Sequence, residues 1–94
     1  DYFYIIQAVN TQKSVGVIRL DRIKNAEYLV SIFISPEYFG QGIAKNALLF
    51  IDDIHQHVTL CATVMEDNVA SQQLFIAANY KRTAKDSFIR LPII

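Results

Sequence analysis

Pro36-Glu37-Tyr38-Phe39-Gly40-Gln41-Gly42-Ile43-Ala44-Lys45-Asn46 decides the fold, because the hydrophobic period changes across it. Before it, Tyr28 to Ser35 is rich in β-branched and apolar residues and reads as a strand stopped by Pro36, which cannot donate to a ladder. After it, Ile43, Ala47, Phe50, Ile51, Ile54 and Val58 recur at helical spacing, while Lys45, Asn46, Asp52, Asp53, Gln56 and His57 fall mostly on other faces. The glycines therefore join a strand to a helix. The first turn of a helix has N–H groups with no intrahelical acceptor and a partial positive charge. Small residues there let an anion approach the backbone. Gly40, Gln41, Gly42, Ile43 and Ala44 can present successive amides, and Lys45 adds a cation. The alternative is a plain tight turn. A Walker loop is excluded, because no Gly-Lys-Ser/Thr is present. A dinucleotide fingerprint fails because its third small residue would fall at Lys45.

Working outward, Tyr2 to Val9 and Val15 to Leu20 read as a β-hairpin across the polar Asn10-Thr11-Gln12-Lys13 turn. A second polar turn, Arg22 to Ala26, leads into the strand before Pro36 and completes a meander. Beyond the first helix, Val58 to Met65 is a largely apolar strand, expected to be buried on both sides. Asn68 is a credible N-cap for a second helix over Val69 to Asn79. Tyr80 to Ile94 holds one or two more strands, ended at Leu91-Pro92. The order β-β-β-α-β-α-β predicts an α/β (α+β) fold. Its mixed sheet would combine an antiparallel meander with a parallel crossover and carry packed helices.

The 94 residues suit one domain with one core; 52% are hydrophobic and 19% charged, which argues against a disordered tail. Nine basic and nine acidic residues cancel, so no global field draws in nucleic acid. No apolar run approaches the ~20 residues that cross a bilayer. Asp1 to Val9 has no positive leader or small-residue cleavage site. The lone Cys61 cannot pair internally and suits a reducing cytoplasm; its expected role is packing, since no activating base stands near it in sequence. No metal is expected.

Ser31 to Ala44 resembles the coenzyme A signature of the GNAT superfamily of N-acyltransferases, Arg/Gln-x-x-Gly-x-Gly/Ala after a strand ending near a proline. Gly42 and Ala44 match its last two fixed positions, and Gly40 a frequent extra glycine. Phe39 stands where the family has Arg or Gln, which removes a side-chain contact to the phosphates but leaves the backbone cradle. Glu66 to Phe75, continued to Tyr80, resembles the family's following helix. Asn68 and Ser71 match, and Asn79-Tyr80 replaces the closing Gly-Phe. Asn is a reasonable substitute there, because Gly and Asn best tolerate a left-handed helix end. The resemblance covers nearly the whole chain in order of elements but lacks the family's first strand and first two helices. The chain also opens inside a strand. The expectation is a single GNAT-like domain over residues 1–94, N-terminally truncated or part of a longer protein.

The resemblance implies acetyl-CoA as cosubstrate and direct attack by a primary amine on its thioester. Phe33 and Ile34 would pair through their backbone with the pantetheine arm, Asn68 would contact that arm, and Ser71 the region near the phosphates. With Phe39, Gly40, Gln41, Gly42, Ile43, Ala44 and Lys45 they form the expected cofactor site. Many members place a thiolate-protonating Tyr where Phe75 stands, and Phe75 has no proton to give. Tyr80 reads as a core or helix-end aromatic. Glu27, Glu37, Asp67 and His55 are available as bases, and none is singled out. His55 and His57 read as surface residues at the end of the first helix. Candidate acceptors are an amino-sugar nucleotide, a protein N-terminus or a small amine. Two other readings stand: a non-catalytic CoA-binding or interaction module, and a plain structural domain. A homodimer, or completion by another domain, is left open.

Overall fold

A computed structural model describes residues 1–8 and 13–94. Six strands and two helices follow one another as β1 (Tyr2–Gln7), β2 (Ser14–Lys24), β3 (Glu27–Ile34), α1 (Ile43–Ile54), β4 (Thr59–Thr63), α2 (Val69–Ala77), β5 (Lys81–Ala84) and β6 (Ser87–Arg90). A 3-10 turn, Pro36–Tyr38, separates β3 from α1. The sheet order is β1-β2-β3-β4-β6-β5. All neighbours are antiparallel except β3 and β4, which α1 joins as a parallel crossover. The α/β mixed sheet expected from the element order is the one formed. Val9 and most of the predicted first turn, Asn10 to Gln12, lie outside the described residues.

Side chains alternate across a strand, so pairing assigns every residue to a face. One face carries Ile18 and Leu20 of β2, Val30 of β3, Leu60 and Ala62 of β4, and Phe88 of β6. Leu48 and Ile51 of α1 and Phe75 of α2 join the same core, so both helices cover that face. The other face shows Phe3, Ile5 and Phe33, each more than half exposed.

The boundaries differ from expectation for identifiable reasons. The second turn shrinks to Asn25 and Ala26, because Asp21 and Arg22 continue the ladder opposite Leu29 and Tyr28. Strand β4 is buried on one side only: Leu60 and Ala62 are buried, while Thr63 is exposed. Helix α1 stops at Ile54, so Val58 lies beyond it and packs on the core from the following loop. Its buried stripe also runs elsewhere than predicted. Leu48, Ile51 and Asp52 face inward, and Phe50 and Ile54 are exposed.

Asp52 can turn inward because Arg90 of β6 meets it. Arg90 Nη1 donates to Asp52 Oδ1 at 2.7 Å, and Nη2 donates to the carbonyls of His55 (2.7 Å) and Val58 (2.8 Å). Burial pushes the Asp52 carboxyl above its ordinary range, and the Arg90 hydrogen bond and charge oppose that shift. Among the described residues no helix is long and apolar enough to cross a membrane.

Candidate functional site

Strands β3 and β4 pair only from Glu27–Thr59 to Leu29–Cys61. Beyond that point β3 keeps its partner β2 as far as Ile34 but has no ladder to β4. Backbone groups on that edge are therefore free to pair with something else. Gly16 sets how closely β2 approaches there. It sits opposite Ile34, and a Cβ on it would meet Phe33 O at 2.3 Å and Ile34 Cδ1 at 2.8 Å. Ser35 N–H then donates to Val15 O at 2.8 Å, anchoring the strand end before Pro36 turns the chain.

The glycine loop follows. Gly40 and Gly42 have φ of 78° and 76°, the left-handed region where a side chain is strained. A Cβ at either would touch nothing within 4 Å, so the reason for glycine is backbone conformation, and the space above the loop is open. Gly42 caps α1, whose ladder begins with Asn46 N–H donating to Gly42 O at 3.0 Å. The amides of Ile43, Ala44 and Lys45 precede that ladder and have no intrahelical acceptor.

A groove of about 500 Å³ runs between this loop, the free end of β3 and the start of α2. Phe33, Ile34, Phe39, Gly40, Gly42, Ile43, Ala44 and Lys45 line it from one side, and Asn68 and Ser71 from α2. Only Gln41, exposed in the same loop, is missing from the predicted set. Lys45 is the one charged residue among the lining residues, so the groove favours an anion. Asn68 Oδ1 accepts from Ser71 N–H at 3.1 Å, the N-cap bond expected of it. Ile32, Tyr38, Ala70 and Leu74 line the groove and were not predicted. Leu74 follows Ala70 and Ser71 at helical spacing, and Tyr38 adjoins Phe39, so both signals were in the sequence.

Residues 1–79 match the acetyltransferase (GNAT) family. The chain belongs to that family. Solved structures agree on the fold. A GNAT-family acetyltransferase from Bacillus anthracis superposes with a TM-score of 0.82 at 15% identity, over 96% of this chain and 66% of that one. Ribosomal-protein-S5-alanine acetyltransferase from Vibrio fischeri gives 0.78 at 14% identity, over 96% and 61%. A mutant of spermidine N-acetyltransferase from Vibrio cholerae gives 0.79 at 14% identity, over 93% and 62%. The chain thus spans under two thirds of the length of these last two structures and 66% of the first. No curated protein matches it by sequence.

The remaining polar candidates of this GNAT chain lie away from the groove lining. Phe75 and Tyr80 are both buried, with ring centroids 5.0 Å apart, as a core reading of Tyr80 requires. Burial pushes the Tyr80 hydroxyl well above its ordinary range, and the Asp52 charge adds to the shift. Cys61 is half-buried, and its thiol donates to Glu27 Oε1 at 3.4 Å. Burial first, then Glu27, pushes that thiol up, away from nucleophile chemistry. His55 departs from the surface placement expected of it. It caps the end of α1, is half-buried, and has Nε2 2.7 Å from the Tyr4 hydroxyl. Burial, with the Arg90 charge, pushes its imidazole below the ordinary value. His57 is exposed, as expected.

Proposed function

We propose that this chain binds acetyl-CoA in the groove and transfers its acetyl group to a primary amine by direct attack. The observation that carries the reading is the free edge of β3 facing the open amides of α1 across one cavity. The amides of Ile43, Ala44 and Lys45, with the Lys45 ammonium, would hold the pyrophosphate. The pantetheine arm would add to the β3 edge at Phe33 and Ile34 in the manner of an extra strand. Asn68 spends its Oδ1 on the helix cap, which leaves its Nδ2 to donate to the arm, and Ser71 contributes near the phosphates. Catalysis then rests on holding thioester and amine in line. The acceptor is an amino-sugar nucleotide, a protein N-terminus or a small amine. The last two accord with the names of the ribosomal-protein and spermidine enzymes that share the fold. A homodimer or another domain would complete the acceptor site, and the proposed place of action is the cytoplasm.

Calorimetric titration with acetyl-CoA tests the cofactor. Binding is expected, and no heat at millimolar ligand would sink the reading. Gly42→Trp places an indole over the loop and is expected to abolish binding. A second reading, a CoA-binding module without catalysis, is favoured by Phe75, which has no proton for a leaving thiolate. Release of free thiol across a panel of amines separates the two: turnover supports the enzyme, and binding without turnover supports the module.

A further inference from the structure

Phe39 holds an aromatic ring in solvent at the edge of the groove. It is 66% exposed and lines the cavity beside Lys45 and the two glycines. Its backbone is tied down, since Phe39 N–H donates to Pro36 O at 3.1 Å. The ring thus follows directly on the 3-10 turn, and the space over Gly40 and Gly42 next to it is open. Amides and one cation that suit phosphate therefore stand beside an uncovered aromatic face. That pairing recognises a nucleotide: the charge-assisted bonds take the phosphate, and the ring takes the base by stacking.

We propose that Phe39 is the stacking platform for the adenine of CoA. The chain then adds an aromatic contact to the nucleotide half of the donor, beside the loop amides and Lys45 that take the phosphate. The inference rests on the CoA reading of the groove. In CoA one ribose separates the adenine from the pyrophosphate, so a pyrophosphate held by the loop brings the base to the neighbouring residue. Tyr38, half-buried and next to Phe39 in sequence, lines the same cavity.

The test compares CoA with 4′-phosphopantetheine, which has the same arm and a terminal phosphate but no adenosine. Both are titrated by calorimetry into the wild type, Phe39→Ala and Phe39→Leu. CoA affinity is expected to fall about tenfold in both variants, with 4′-phosphopantetheine changed by less than about twofold. Equal losses for the two ligands, or full CoA affinity in Phe39→Leu, overturn the stacking claim. If the wild type binds neither ligand, the CoA reading itself fails. If it binds both and Phe39 variants match it, only the stacking claim fails. In the wild-type complex the adenine proton resonances should move upfield through the ring current, and unshifted resonances also count against stacking.

Discussion

Gly16 shows how a single missing side chain shapes the groove. Its position opposite Ile34 leaves no room for a methyl group against Phe33 O. Gly16→Ala must push β2 and β3 apart where β3 forms the groove wall. Overpacking of this kind costs about 1–3 kcal/mol. A lowered melting temperature and weaker acetyl-CoA binding are expected, and a wild-type melting curve would show that the strands are not so close. At Gly40 and Gly42 the constraint is different in kind, since positive φ and not contact demands glycine. Asn79, at φ 73°, shows the same demand met by the other residue type that tolerates it, as the helix-closing resemblance implied.

Among the elements, α1 and β6 depend on each other through Arg90. One guanidinium joins Asp52 on the helix to the carbonyls of His55 and Val58 in the chain that leaves it. Arg90→Met would strand a buried carboxylate and two carbonyls at once. Removing one member of a buried pair costs about 3–5 kcal/mol. Urea unfolding should show a loss of unfolding free energy of that order, and Asp52→Leu combined with Arg90→Met should recover much of it. A double variant no better than Arg90→Met would mean that the carbonyl bonds, not the ion pair, dominate. The helical period alone misplaced this stripe. It assigned the charged Asp52 outward, and only a partner 38 residues away reverses that assignment.

For the molecule as a whole, His55 links stability to pH. It ties the edge strand β1 to the end of α1 through Tyr4 and packs edge-on against Tyr2 at 4.6 Å. Its folded pKa lies below the ordinary 6.5. Between those two values the unfolded chain binds more protons than the folded one, so stability rises with pH. The His55 contribution is fully present above 6.5 and is lost as pH falls through that value toward the folded pKa. Melting temperature should therefore fall as pH drops below 6.5. His55→Gln should flatten that part of the profile, and an unchanged slope would assign the effect to other groups. Asp52, whose pKa is raised, acts with the opposite sign at lower pH, so the comparison belongs in the His55 window.

Features that depend on near neighbours were legible in the order of residues. The period change at Pro36, the glycine loop, the Asn68 cap and the left-handed Asn79 all follow from backbone chemistry within a few residues. With them came the element order and ten of the fourteen residues that line the groove. Tertiary structure decided what depends on distant partners. The separation of β3 from β4 after Leu29, the inward Asp52 and the Tyr4–His55 contact need groups brought together across the fold. A local pattern records which residues are apolar, but not which charge has an opposite waiting for it or where a ladder ends. The groove itself is of that second kind, because it opens where two strands stop pairing.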